Sequence, residues 1–518
     1  MRKYANYFSI LLIILMSVGL VGCGSNAATT TTAPAASTTS APAAEAKTDI
    51  VIAIQGEPSS LDPQYSDDGN MYYITWNVFE ELIKLDPITL EPYACLASEY
   101  KTIDASNWEF TIREGVKWHD GTTFTAEDAA YSINRIVDPV YGSQIVSDFS
   151  TIKGAKVSDD GKKIIITTDG PDPILLKRLT KLAIVQKAFY EGKKTEEVTK
   201  VAMGTGPYKL ESWTQGQNIK LSAFADYWGD KPPIKAATYR FIEEPVTRLS
   251  ALKTNEINIA INMYPEYAAD LPKIFTGVSF ETYWMRFNQF SGPMKDKNLR
   301  LAANYAVDLQ GLADAMFLGY AAPCQGQMGR KGYTGYNDSL KDYGYDVNKA
   351  KELLTAAGYK GEVIQLVSER GRWLKDGELT EAIAAQLTEA GFNITTKFVS
   401  WNEWLTFLFE RSKMPDIQFS SSGNEFFDMD RTYSTLVAGT GTQSGVDNPE
   451  YNAILAAARV EMDPAKREAM YADLASKLHD DPFGIYLLTM NELDGGSPNL
   501  NWTVRQDARM MLSEMSFN

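Results

Sequence analysis

The sequence predicts an α/β protein with at least two lobes, and three observations carry that expectation. Apolar strands alternate with capped helical stripes through the second half of the chain. The stretch from about Thr48 to Asn518 is too long to fold around a single hydrophobic core. The block from Trp108 to Arg135 reads as a strand, a turn and a helix in direct succession.

Ile50 to Ile54 is a short apolar strand, and Gly56-Glu57-Pro58-Ser59-Ser60-Leu61-Asp62-Pro63 follows it as a loop punctuated by Gly and Pro. In the next block, Trp108, Phe110 and Ile112 alternate with polar residues as a half-buried strand requires. Asp120-Gly121 is a turn dipeptide. Thr125 supplies an N-cap, Glu127 and Asp128 face the positive end of the helix, and Ala129, Ile133 and Ile136 form its buried stripe. Gly204-Thr205-Gly206-Pro207-Tyr208 is a tight loop entering a strand; it lacks the Lys-Ser/Thr pair and helix start of a phosphate-cradling loop. Val246 to Lys253 reads as a short helix and Ile257 to Ile261 as a strand.

Later punctuation is clean. Asp346 caps a stripe of Ala350, Leu353, Leu354 and Ala357 that ends at Gly358, and Leu379, Ile383, Leu387 and Ala390 form another that ends at Gly391. Asp463-Pro464 opens a third helix with Met470, Leu474 and Leu478 on one face, stopped by Pro482. Strands at Val363 to Val367, Ile394 to Val399 and Asp416 to Phe419 lie between.

The N-terminus is of a different kind. Arg2 and Lys3 precede an apolar run from Tyr7 to Met16, and Leu20-Val21-Gly22-Cys23 closes it, so residues 1–23 read as a secretory signal. Residues 24–47 are mostly Thr, Ala, Ser and Pro with no large apolar side chain, a composition that builds no core and is expected to be a disordered tether. Net charge is −16, which argues against nucleic-acid binding and against electrostatic docking on anionic lipid. Cys95 and Cys324 fall in segments expected to lie apart, so no disulfide framework is indicated. The only two histidines, His119 and His479, have no Cys, His or paired carboxylate at metal-ligand spacing, and no nucleophile elbow or zinc-protease motif occurs. Catalysis and a metal centre are therefore not expected.

The wording of the Trp108–Arg135 block closely resembles the signature of the family 5 extracellular solute-binding proteins, the dipeptide, oligopeptide and nickel receptors of bacterial ABC importers. Glu57-Pro58 before Leu61-Asp62-Pro63, and the Gly204–Tyr208 segment, are similar to segments of that family at corresponding places, while Leu20-Val21-Gly22-Cys23 resembles a bacterial lipobox. The resemblance implies a two-lobed periplasmic-binding-protein-like fold (type II, cluster C). Lobe I would take 48–283, with an extra subdomain at about 91–200, lobe II 284–489, and 490–518 would return to lobe I. It also implies a monomer without cofactor, a lipidated Cys23 anchoring the protein outside the cytoplasmic membrane, and delivery of a solute to permease and ATPase subunits.

Binding residues follow from the residues and the resemblance together. Arg370 and Arg372 beside Trp373, before a helix start in an acidic chain, form a plausible carboxylate grip, and an Arg of the matching family loop holds a peptide's C-terminal carboxylate. Which of the two acts here stays open. Asn424, Glu425 and Phe426 form a possible pocket lip. Peptide receptors carry, directly after a Gly, an Asp for the ligand's α-ammonium, where this chain has Asn424 after Gly423; Glu425 or Asp428 could substitute. Tyr72, Tyr73 and Trp284 are further wall candidates. The ligand implied is a short peptide or peptide-like, carboxylate-bearing compound; an opine, oligosaccharide or nickel chelate is the alternative.

Overall fold

In the computed structural model, which describes residues 47–518, the first strand runs from Asp49 to Ile54 with Ile52, Ala53 and Ile54 fully buried. Cys23, the rest of the signal segment and nearly all of the tether lie outside the described residues. The strand pairs in parallel with Ala236–Phe241 and with Ile259–Ala260. Only that short piece of the expected 257–261 strand joins the ladder.

An 11-stranded mixed sheet is the backbone of the fold. From one edge its order is Asn393–Phe398, Val363–Ser368, Ile417–Ser422, Ile274–Phe287, Gly484–Gly496, Ile259–Ala260, Asp49–Ile54, Ala236–Phe241, Asn218–Ala223 and Tyr208–Thr214; Ala321–Pro323 pairs beside Gly484–Gly496. The two long strands in the middle, Ile274–Phe287 and Gly484–Gly496, run antiparallel and join the two halves. Their early and late segments pair at Ile274–Val278 with Gly495–Asn491 and at Thr282–Arg286 with Thr489–Gly484, with the register interrupted between Val278 and Thr282.

Helices form where capping and stripe predict. Helix Ala126–Val137 starts with a full capping box between Thr125 and Asp128. Helix Asp376–Ala390 buries Leu379, Ile383, Leu387 and Ala390 completely and ends at Gly391, whose φ of 109° only glycine adopts freely. Each of the large aliphatic side chains on that face contributes roughly 1.5–3 kcal/mol of burial. The helix connects the parallel strands Val363–Ser368 and Asn393–Phe398, a βαβ unit.

A separate four-stranded antiparallel sheet, ordered Ala97–Asp104, Asn107–Ile112, Lys163–Thr168 and Ile152–Val157, packs on helix Ala126–Val137 around its own core of Trp108, Phe110, Ile133 and Ile164. Two features singled out in the sequence explain how it is fixed to the main sheet. Arg135 grips Asp62 of the Leu-Asp-Pro loop through two bonds of 2.5 and 3.1 Å, and the Gly204–Pro207 loop presses so close to helix Gly69–Val78 that a Cβ on Gly204 would stand 1.9 Å from the Val78 carbonyl oxygen. Cys95 and Cys324 are both free and buried.

Candidate ligand-binding site

The loop between strand Val363–Ser368 and helix Asp376–Ala390 is built around one carboxylate. Asp376 is 1% exposed and accepts the backbone N–H groups of Gly371, Arg372, Trp373 and Gly377 at 2.7–2.9 Å. Four bonds onto one side chain fix the loop, so its neighbours project from a rigid turn. The two arginines then differ. Arg370 is committed outward, bonded to Glu381 at 2.6 Å with its guanidinium 4.0 Å above the Phe398 ring. Arg372 has no ion-pair partner among the described residues; its guanidinium lies 5.0 Å over the Trp401 ring.

Beside this loop is a cavity of about 770 Å³, a size that holds a small organic solute. Arg372 and Trp373 line one side, and Tyr264, Phe280, Tyr283 and Tyr320 supply aromatic walls. Two carboxylates, Glu281 and Glu492, reach it from the two long central strands. Burial pushes the Glu281 carboxyl up, with Arg372 opposing and Glu425 adding to the rise. Burial likewise holds Glu492 well above the usual carboxylate range, helped by Asp494 and Glu281 and opposed by Arg330. Behind them Asp494, 3% exposed and accepting only the Asn262 N–H at 2.8 Å, is pushed up to about 7 by burial.

The second loop does less at the cavity than its sequence promises. Asn424 is 3% exposed and turned inward: its amide donates to the Asp428 carbonyl at 2.9 Å and to Thr432 Oγ1 at 3.0 Å. An aspartate could not make those two donations, so the amide at this position serves the loop rather than the cavity. Phe426 is fully buried under the Arg178 guanidinium. Asp428 caps helix Met429–Leu436 and forms a two-bond pair with Arg467 at 2.6 and 2.7 Å. Glu425 alone faces outward, 3.8 Å from Lys181 and 3.9 Å from Arg431. Lys181 also meets Asp148 at 2.9 Å and Asp67 at 3.4 Å, and Tyr72 donates to Asp67 at 2.8 Å. This network ties Tyr72 and Glu425 together across segments far apart in sequence, but neither residue lines the cavity.

Trp284 corrects the expectation of an aromatic wall. It is fully buried, edge-on to Phe483 at 5.4 Å. Adjacent strand residues point to opposite faces: Tyr283, itself 2% exposed, packs in one core and borders the cavity, while Trp284 enters another core and does not line it. Tyr73 packs against the core beneath the first strand and also stands off the cavity lining. Of the nine expected binding residues, Arg370, Arg372 and Trp373 share the cavity; the other six do not line it. Missing from the sequence reading are Glu281 and Glu492. Each sits in a long strand that also carries other polar and charged residues, such as Arg286 and Asp494, so nothing in the sequence singled it out.

The histidines hold structure. His119 accepts the Gly204 N–H and faces the Gly206 carbonyl at 3.0 Å, so Nε2 carries the proton, and burial lowers its pKa to about 4. His479 stacks on Tyr343 at 4.5 Å. Among the described residues no three His, Cys, Asp or Glu side chains converge as a metal site would need.

Comparison with known proteins follows the same line. The model of the bacterial extracellular solute-binding proteins, family 5 (Middle), matches residues 91–444. The glutathione-binding protein GsiB of Escherichia coli O157:H7 is 29% identical over 323 residues, which is 61% of this chain and 62% of that protein. The match thus spans a little under two thirds of that relative. The substrate-binding protein CtaP of Listeria monocytogenes superposes with a TM-score of 0.82 at 22% identity, covering 91% of this chain and 100% of that one. The periplasmic binding protein DppA from Helicobacter pylori, in complex with the peptide STSA, gives 0.75 at 24% identity, covering 90% and 98%. These two likenesses establish the two-lobed periplasmic-binding-protein fold. The chain belongs to the bacterial extracellular solute-binding proteins of family 5.

Proposed function

We propose that this protein captures a small, carboxylate-bearing solute, first of all a short peptide or peptide-like amino-acid derivative, and delivers it to the permease of an ABC importer. The observation that carries the reading is Arg372: a guanidinium without an ion-pair partner among the described residues, beside Trp373 on a turn locked by Asp376, at a cavity of solute size. The relative GsiB binds glutathione and the structural neighbour DppA holds a peptide, which supports peptide-like solutes as the first class to try. A two-lobed receptor works by closing, and the solute favours the closed state only through contacts with both halves. The cavity answers to that, because its walls come from the Asn262–Glu266 segment on one side and the Arg370–Asp376 loop on the other.

The body acts without turnover and sits outside the cytoplasmic membrane, tethered by lipid on Cys23 through the 24–47 linker. No helix among the described residues is long and apolar enough to cross a membrane. Lobe I would comprise 48–283 and 490–518, lobe II 284–489. Fluorescence titration of short peptides, free and C-amidated, tests the reading. Amidation should weaken binding about tenfold or more, the worth of one charged hydrogen-bond partner, and Arg372→Ala should remove that difference. Equal binding of both forms by the unaltered protein would refute Arg372 as the carboxylate grip.

A further inference from the structure

The charges lining the cavity do not cancel. Five carboxylates, on Glu266, Glu281, Asp376, Glu378 and Glu492, face three cations, on Arg370, Arg372 and Lys375. Local partners account for most of them. Lys375 pairs with Glu266 and Arg370 with Glu381. Asp376 takes its four backbone N–H groups, and Glu378 is exposed in the first turn of its helix, near the positive end. Arg372, Glu281 and Glu492 remain, with Arg372 near enough to oppose the rise of the Glu281 carboxyl but not paired with it.

Those two carboxylates are partly buried and open to the cavity, and among the described residues neither has an ion-pair or hydrogen-bond partner. Arg330, the cation whose field reaches Glu492, donates instead to the carbonyls of Ser279 and Gln506 at 2.6 and 3.1 Å. Glu492 stands opposite Gly277 on the neighbouring strand, and Glu281 sits within the register interruption between Val278 and Thr282. Glu281 is close enough to push the Glu492 carboxyl upward. Two neighbouring carboxylates that repel one another across a partly buried wall favour a cation between them. The ring faces of Tyr264, Phe280 and Tyr320 line the same space and attract cations.

We infer that the solute carries a cationic group, an ammonium or guanidinium, seated between Glu281 and Glu492 while its acidic group meets Arg372. This rests on the importer-receptor reading and narrows it to zwitterionic solutes. It also moves cation recognition from the Gly423-Asn424 loop to the two central strands. The cation has two possible sources in a peptide, the α-amine and a basic side chain.

The test uses the full-length protein and four probes: Ala-Ala-Lys and Ala-Ala-norleucine, each free and N-acetylated. Norleucine removes the ε-ammonium and acetylation the α-ammonium, so the four separate the two sources. Removing the recognised cation should weaken binding by about tenfold or more. In the Glu281→Gln/Glu492→Gln double variant the same removal should cost less than about threefold. Binding indifferent to both cations, or a penalty undiminished in the double variant, overturns the inference and leaves the carboxylate grip intact. If none of the four binds the unaltered protein, the peptide-receptor reading fails and the inference with it. A readout without solute completes the test: the double variant should melt no lower than the unaltered protein, because among the described residues neither carboxylate has a partner to lose. A lower melting temperature would mean these carboxylates hold the fold, and would refute their role as a cation seat.

Discussion

Replacing Asp428 separates a structural role from a binding one. Its carboxylate and the Arg467 guanidinium are 1% and 4% exposed and joined by two short bonds, with a third Arg467 bond, 3.2 Å long, to the Ala458 carbonyl. Asp428 also accepts the Asp430 N–H at 3.0 Å as the N-cap of helix Met429–Leu436. Removing one partner of a buried pair leaves the other charge stranded, which costs about 3–5 kcal/mol. Asn caps helices as well as Asp does, so Asp428→Asn isolates the charge and should destabilise by about 3 kcal/mol; Asp428→Ala should lose about 1 kcal/mol more with the cap. Against a total stability of about 5–15 kcal/mol, both are large effects. Urea denaturation followed by tryptophan fluorescence measures them, and a cycle with Arg467→Met separates the pair's coupling from the single losses. Replacing both partners should cost less than removing Asp428 alone. The reasoning fails if Asp428→Asn unfolds at nearly the urea concentration of the unaltered protein yet no longer binds solute. That outcome would make Asp428 a ligand anchor.

Three further outcomes are expected. Asn424→Asp should destabilise by about 2 kcal/mol, since a carboxylate cannot donate to the Asp428 carbonyl or to Thr432; an unchanged urea midpoint would contradict this. His119 has its pKa lowered to about 4 from 6.5, so its contribution is whole above pH 6.5. As pH falls from 6.5 towards 4 the unfolded chain takes a proton that the folded one refuses, removing about 3 kcal/mol. Urea midpoints at pH 7.5 and 4.5 should therefore converge more in His119→Asn than in the unaltered protein, and parallel losses would refute the assignment. Cys23→Ala should release the protein from membranes, and mass spectrometry of the extracted unaltered form should show a diacylglyceryl adduct at Cys23; full membrane retention of the variant would refute lipid anchoring.

Local order was legible because it is written in local chemistry. Thr125 with Asp128, Asp463 with Pro464, and the Leu379–Leu387 stripe each fix an element from residues a few positions apart. The Arg372-Trp373 turn was legible for the same reason: cations beside a helix start stand out in an acidic chain. The inner walls were not, because they depend on which face of a strand meets the cavity. Tyr283 and Trp284 are equally aromatic in the sequence, and a one-residue difference sends them to different cores, only the first of which borders the cavity. Nor could composition say that Asn424 points inward, since its donations go to Asp428 and Thr432 through a fold of the loop.

The interruption between Val278 and Thr282 has a mechanical consequence. A ladder that lacks rungs at one point bends there at little cost, because no cross-strand bond has to break. Glu281 lies at that point and Glu492 on the strand beside it, so a bend there would pivot about these two carboxylates, while Arg372 stands on a separate loop of the same cavity. Under the receptor reading proposed above, the acidic floor would then hold its place while the cationic arm moves against it. That reading predicts that substitutions at Glu281 or Glu492 change how fast a solute is caught, and substitutions at Arg372 how long it is kept.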